Sequence, residues 1–477
     1  MRSEKHMYDK IFELGKKRGI VYPSFEVYGG LSGFIDWGPI GVRIKRNVEK
    51  LLRKTYVHEL ECLEVECPNL HPEEVFEASG HIKSFADYMT ECTMCGEPYR
   101  ADHLIGDERG IEVEGKSKTE INNYLSEIKC PKCSGDLGEA YSYNLMFETS
   151  VGPGKSKKTT YLRPETAQST YIGFNRLWQV ARRTLPFGVL QVGRSYRNEI
   201  SPRQGMIRLR EFNQAEIQFF YDPNNMFVEG FEEVSDIKVE ILDKNEQTHK
   251  LSLGEAYREK VIGNQVLAYH LGVAYRFFQS IGLPGERLVL RQHREDERSF
   301  YSSDTWDIEY ISGELGKIEM VGIALRSDYD LTQHAKYSGK NFSVTTENGK
   351  FTPHVVEVAY GVDRPIYCLL ESCLDDRGFA LKREVSPYDV CVFPLVKKDG
   401  VDVKAREIYG KLKKEGLSVF YDKAGSIGKR YARSDEIGIS YCVTVDYDTL
   451  EDDTVTLRVR SDKSQVRKKT SEVIGIL

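Results

Sequence analysis

No stretch of this chain approaches the roughly 18 consecutive apolar residues that a membrane-crossing helix needs. Its first residues, MRSEKHMYDK, lack the apolar run of a secretory signal. No membrane partner is therefore expected, and the cytoplasm is the expected compartment. Cysteine is too sparse for a disulfide scaffold, with ten in 477 residues. Neither charge sign dominates: the net charge is −6, so no global basic field marks a nucleic-acid binder, and phosphate contacts would have to be local. Internal repeats and low-complexity tails are absent as well. A phosphate-cradling P-loop is also missing, because Gly154-Lys155-Ser156 has Thr149 where the motif requires its first glycine. If a nucleoside triphosphate binds, it binds in another way.

The chain is too long for one ordinary domain. Residues 388–477 carry a balance of +2 within the −6 total, which makes the C-terminal segment the likelier landing site for a polyanion. Four cysteines are clustered as Cys92-x-x-Cys95 and Cys130-x-x-Cys133, with 34 residues between the pairs. Each pair offers two thiolates at one corner of a tetrahedron, so the spacing predicts a closed, structural zinc site with no catalytic position.

Apolar spacing predicts helices at Met7–Gly19 and at Pro39 to about Glu59, where Pro39 suits the first turn. TWDIEY, KIEMVGIAL and HVVEVAYGVDR read as strands, and GNQVLAYHLGVAYRFFQSIG as a helix. From Tyr388 the pattern is α/β: DVCVFPLV, a helix over VKAREIYGKLKKEG, SVFYD, a glycine turn, a second helix and YCVTVDY.

The densest chemistry lies between Tyr161 and Gln218, in YLRPETAQ and GRSYRNEISPRQGMIRLREFNQAEIQ. From Arg208 to Phe219 the period is two. Arg208, Arg210, Phe212, Gln214, Glu216 and Gln218 share one face, and Leu209, Ala215, Ile217 and Phe219 dominate the other. One face can rest on a core while the other meets a ligand that is anionic and cationic at once, such as a nucleoside triphosphate beside an amino acid. A solvated strand with internal ion pairs is the plainer reading of mixed charge. It is disfavoured because the same chemistry recurs in three places.

RPETAQ, RNEISPR, RLREF, GVDR and the late GSIGKRYARSDEIG, in that order, resemble the glycyl-tRNA synthetases, class II aminoacyl-tRNA synthetases. The cysteine pairs around YRADHLI resemble the archaeal/eukaryotic-type members. The resemblance spans Tyr8 to about Val473. It implies an α+β fold: a class II antiparallel-sheet catalytic core with a zinc-bearing insertion, plus a C-terminal α/β anticodon-binding domain. The expected boundaries are 1–88 (first class II motif and dimer interface), 89–137 (four-cysteine zinc insertion), 138–220 (second motif), 221–298 (insertion domain), 299–387 (third motif) and 388–477 (anticodon-binding domain). The implied reaction joins glycine to the α-phosphate of ATP, with Mg²⁺, and then transfers it to the 3′ end of tRNA-Gly. Such catalysis is alignment plus neutralisation of phosphate charge, so it calls for arginines rather than a side-chain nucleophile.

By the same resemblance, Arg197, Glu199 and Arg364 are catalytic. Arg197 meets the α-phosphate and Glu199 the adenine amino group, Arg208 and Arg364 hold the outer phosphates, and Phe212 stacks on adenine. Asn198, Leu209, Glu319 and Met320 complete the ATP site, with Glu319 a Mg²⁺ ligand. Glycine is implied to meet Arg100, Glu165, Glu216, Arg326, Glu357 and Ala359, and tRNA to meet Lys429, Arg430 and Arg433. The family is homodimeric, with an interface near Pro39–Pro72. The chain departs from the family pattern at Ala359 (serine is usual), Leu325 (Asp or Asn), Lys317 (Trp) and Ser169 (Gly). A synthetase for another small amino acid, and a catalytically reduced nucleic-acid-binding paralogue, are the rival readings. The acidic pocket counts against the first, and the intact phosphate-facing arginines against the second.

Overall fold

The computed structural model describes residues 6–111, 113, 116–200, 205–299 and 301–477. Ser201, Pro202 and Arg203 of the RNEISPR motif fall outside them. Helix α1 (Met7–Arg18) ends at left-handed Gly19, and α2 (Pro39–Arg53) starts with proline in its first turn and continues as a wider turn to Glu59, both as the spacing predicts.

A nine-stranded sheet organises the catalytic half. Its strands are β1 (Leu63–Val65), β2 (Phe187–Tyr196), β3 (Glu211–Tyr221), β4 (Lys238–Leu242), β5 (Thr248–Ser252), β6 (Leu288–Gln292), β7 (Asp304–Ser312), β8 (Gly316–Ser327) and β9 (His354–Gly361), in the order β5-β4-β6-β7-β8-β9-β3-β2-β1. All neighbours are antiparallel except β1/β2 and β4/β6.

Alternation assigns the two faces. Ile217 and Phe219 of β3, Trp306 and Ile308 of β7, Val321 and Ile323 of β8, and Val356 and Val358 of β9 join one core with α1, α2, the helix α3 (Gln265–Ile281) and the helix α4 (Asp363–Ser372). Helix α3 is apolar nearly all round, as a helix buried on most sides must be. The opposite face of the same strands carries the polar residues.

Residues 221–298, expected as an inserted domain, form no separate body. Their strands β4, β5 and β6 extend the edge of the central sheet, and α3 lies in its core. The cysteine-bearing segment folds as a small unit: a three-stranded sheet (Ala86–Glu91, Pro98–Arg100 and Tyr141–Asn144), helices at Ala101–Arg109 and Lys118–Leu125, and its own apolar cluster.

The C-terminal unit has strands β10 (Val390–Pro394), β11 (Val419–Tyr421), β12 (Tyr441–Val445), β13 (Thr454–Val459) and β14 (Gln465–Lys469), ordered β11-β10-β12-β13-β14. The first three are parallel and are linked by α5 (Val401–Lys414) and α6 (Ile427–Glu436). Its junction with the catalytic half is tight. Gly378 has φ +123°, and a Cβ there would lie 2.3 Å from Glu436 Cα. Beside it Arg460 forms a two-pronged pair with Asp375, at 2.9 and 3.0 Å.

Candidate active site

On the polar face of the sheet, register lines up two rows. Asp307, Gly322, Ala359, Glu216 and Gln191 stand directly opposite one another on β7, β8, β9, β3 and β2. The adjoining row is Thr305, Ala324, Glu357, Gln218 and Val189. Glycine and alanine make the middle of this floor, and carboxylates rise at its sides. Small residues at alternate strand positions leave room that ordinary side chains would fill. The cavity of about 290 Å³ above them is lined by Glu165, Arg197, Glu199, Arg208, Leu209, Phe212, Glu216, Glu319, Met320, Glu357, Ala359 and Arg364, all expected from the sequence.

The acidic end is built by RPETAQ. Arg163 is buried and donates to the carbonyls of Arg194, Cys67 and Pro68, which fixes the turn. Thr166 then donates from its backbone (2.9 Å) and hydroxyl (2.7 Å) to Glu216, and Gln168 donates to Glu165 at 2.8 Å. His81 lies 3.4 Å from Glu165. Burial opposes ionisation of Glu165, but His81, Arg326 and Gln168 together outweigh it and hold its pKa below the usual carboxylate range. Burial and the charges of Glu357 and Glu165 push Glu216 the other way, up to about 8. Burial likewise raises Glu357, against the pull of Arg326. This end of the cavity is short of positive charge and suits an ammonium group.

The basic end is separate. Arg197 lies between the rings of Phe85 and Phe212, 5.4 and 5.3 Å from their centroids, and donates to Pro164 O. Arg364, at the start of α4, donates to Ile207 O and to Glu319, both at 2.9 Å. Partial desolvation disfavours the half-exposed Glu319 carboxylate, yet Arg364 and Arg197 overcome it and lower its pKa. Asp363 accepts from the Asn213 backbone (2.6 Å) and from Trp37 (3.0 Å), tying α4 to β3 and to the short strand Ile35–Trp37 before α2.

Three expected residues stand elsewhere. Arg326 is 1% exposed, and its guanidinium is spent on Asp330 (2.7 and 2.8 Å) and Glu357 (2.9 Å), so it lies beneath the cavity wall. Arg100 pairs with Asp87 and Asp102 and lines a second cavity of about 720 Å³, which Arg208 shares with the first. Asn198 donates to Tyr143 outside the cavity. Conversely, His293, Ser299, Tyr301, Thr305 and Asp307 line the cavity although the sequence motifs do not point to them. For Asp307 a signal exists in its placement between Trp306 and Ile308, two core residues of β7. Asp307 is pushed up to about 6 by burial and by Glu319, with His293 at 2.7 Å pulling the other way.

The α6 arginines are also committed internally. Arg430 is buried against the carbonyls of Pro394, Leu395 and Gly425, and Arg433 is held by Asp422 and Ala424 O. Lys429 alone of the expected trio is exposed.

The four cysteine sulfurs lie within 4.8 Å of one another, with Cys92–Cys133 at 3.4 Å and Cys95–Cys130 at 3.7 Å. A tetrahedron with Zn–S bonds of about 2.3 Å has edges of about 3.8 Å, so this donor set fits the ion. A Cβ on Gly135 would sit 3.1 Å from Cys92 Sγ, so the second knuckle closes only over glycine. Burial disfavours a Cys130 thiolate, but hydrogen bonds from Tyr99 and the knuckle backbone bring its thiol down to about 6.

Comparison with known proteins matches two family descriptions: the tRNA synthetase class II core domain (G, H, P, S and T) over residues 147–373, and the anticodon binding domain over 389–477. A glycine–tRNA ligase of Pyrococcus furiosus is 41% identical over 98% of this chain and 97% of its own length. One from Methanocaldococcus jannaschii is 39% identical over 99% of each. Among solved structures, prolyl-tRNA synthetases of Cryptosporidium parvum (TM-score 0.62, covering 99% of this chain and 74% of that one) and Giardia lamblia (TM-score 0.63, covering 98% and 74%) share the fold at 15% identity.

Proposed function

Since the chain belongs to the glycine–tRNA ligase family of class II synthetases, we propose that it activates glycine with ATP and transfers the glycyl group to tRNA-Gly. The observation that carries the reading is the polarity of the cavity, acidic at Glu165, Glu216 and Glu357 and basic at Arg197, Arg208 and Arg364. Glycine bound with its ammonium among the carboxylates would present its own carboxylate toward Arg197. That carboxylate attacks the α-phosphorus of ATP, the bond to the bridging oxygen breaks, and pyrophosphate leaves. Arg197 neutralises charge on the α-phosphate while Arg208 and Arg364 hold the departing phosphates. Glu199 reads the adenine amino group, Phe212 stacks on the base, and Leu209 and Met320 pack around it. Glu319 and Asp307 are the carboxylates that would hold a divalent cation, which would shield the phosphates. A terminal hydroxyl of tRNA then attacks the glycyl carbonyl and AMP leaves.

The structural zinc belongs to Cys92, Cys95, Cys130 and Cys133. It supplies no chemistry to the reaction and fixes the small insertion beside Arg208. Homodimerisation through the region near Pro39–Pro72, and a cytoplasmic location, are part of the same proposal. Among the described residues no helix is long and apolar enough to cross a membrane.

Glycine-dependent ATP–pyrophosphate exchange tests the reading. Exchange with glycine, and not with alanine or serine, is the expected result. Absence of exchange from folded protein that binds ATP would overturn it.

A further inference from the structure

The cavity leaves a specific question: what closes its amino-acid end against a side chain? Arg326 does not reach it, because Asp330 and Glu357 occupy its donors. Two groups both touch Arg326 and line the cavity: the Glu357 carboxylate and the ring of Tyr301. The Tyr301 ring centroid lies 3.7 Å from the Arg326 guanidinium carbon, while Tyr171 covers that guanidinium from 5.4 Å. Tyr301 itself lines the cavity, together with Glu165, Glu357, Ala324 and Ser299. A phenol stacked on a buried guanidinium is held by dispersion and by the ring quadrupole, so it cannot swing aside at low cost. Arg326 in turn is fixed by three charge-assisted hydrogen bonds and cannot retreat. Apart from the carboxylates, the floor of this end offers little resistance to a methyl group: Ala324 and Ala359 are small, and Gly322 has no side chain.

From this juxtaposition we infer that Tyr301 is the specificity-determining wall of the amino-acid site, its ring filling the space that the side chain of any larger amino acid would need. The inference rests on the glycine-activating reading of the cavity. It assigns the exclusion of alanine and serine to the Arg326–Tyr301 stack, with the carboxylates left to hold the ammonium. A pocket that merely lacks favourable contacts discriminates one methylene by about 10–200-fold. A ring that cannot move adds a steric penalty to that factor, and truncating the ring removes the penalty.

The test is amino-acid-dependent pyrophosphate exchange for the wild type, Tyr301→Phe, Tyr301→Leu and Tyr301→Ala, with glycine, alanine and serine as substrates. The expected result is that the ratio of kcat/KM for glycine to that for alanine falls at least tenfold in Tyr301→Ala. It should fall by less in Tyr301→Leu and stay within about twofold of wild type in Tyr301→Phe, which keeps the ring. A change in this ratio separates a wall from a merely structural residue, since loss of stability lowers all substrates together. Thermal melting confirms that each variant is folded. An unchanged ratio in Tyr301→Ala and Tyr301→Leu would overturn the inference, as would a Tyr301→Phe protein that loses discrimination as much as Tyr301→Ala. Complete loss of exchange in folded Tyr301→Leu and Tyr301→Ala would also overturn it, making the ring a support for catalysis. Wild-type protein without glycine-dependent exchange would instead refute the functional reading itself, so the two failures are distinct.

Discussion

Replacing Arg326 by methionine removes the guanidinium that holds Asp330 and Glu357 behind the acidic end of the site. In the native structure Arg326 is 1% exposed and binds Asp330 in two-pronged fashion while also holding Glu357. Burial opposes its charge, yet Asp330 and Glu357 hold its pKa well above the ordinary arginine value. Methionine matches the length of the stem but leaves two buried carboxylates without a counter-ion. Breaking a buried pair in this way costs about 3–5 kcal/mol, most of it the penalty on the charges left behind. The cost should depend on pH with a defined sign. Glu357 already has a raised pKa, and Arg326 is the charge that restrains it. Without Arg326 the native state holds a proton on Glu357 that the unfolded chain has released, so native stability falls as pH rises from the ordinary carboxylate range toward that raised pKa. The penalty is therefore smallest in acid and largest above neutrality. Urea unfolding followed by the fluorescence of the three tryptophans, of which Trp306 is buried on β7, measures it. Adding Glu357→Gln to the variant should regain part of the loss at high pH and little in acid. A penalty below about 1 kcal/mol at pH 8, or one that grows on acidification, would refute the account of Arg326 as an internal counter-ion.

Ala359→Ser restores a hydroxyl on the floor between Gly322 and Glu216. One neutral hydrogen bond is worth about 0.5–1.5 kcal/mol, so KM for glycine in the exchange assay should fall roughly two- to thirteenfold, with little change for ATP. Cys95→Ser should abolish bound zinc by metal analysis and lower the melting temperature of the insertion, while the central sheet keeps its cooperative unfolding. On α6, Lys429→Ala should weaken tRNA binding and reduce its salt slope by about 1. Arg430→Ala should act chiefly as a stability variant, because three backbone carbonyls lose their donor. Equal and purely binding-related losses in the two variants would contradict that division.

Much of the site is legible in the sequence because its residues sit in short, fixed motifs. RPETAQ places Glu165 and Thr166 on one turn. Alternation along Phe212–Phe219 puts Gln214, Glu216 and Gln218 on one face, whatever the sheet around them. The helices at Met7 and Pro39 follow from spacing and caps, which are local. Segment 221–298 reads as a separate insertion because sequence does not show which strands pair. Its edge strands are joined to the sheet through the antiparallel β6/β7 ladder and through the parallel β4/β6 ladder, whose pairs, such as Glu240 with Val289, lie far apart in the chain. Asp307 and Tyr301 escape a reading by motif for the same reason.

The sequence by itself determined the inventory and its local placement: which carboxylates, arginines and thiols exist, and which face of a strand or turn each occupies. Those properties depend on a backbone period of two or on a turn of a few residues. The tertiary structure decided which of these charges remain available to a ligand. Arg326, Arg100 and Arg430 look alike in sequence to Arg197 and Arg364, and all five find hydrogen-bond partners, but only Arg197 and Arg364 also line the cavity. A buried charge must find such partners or lose its ionisation, and where they lie is set by strand register and packing.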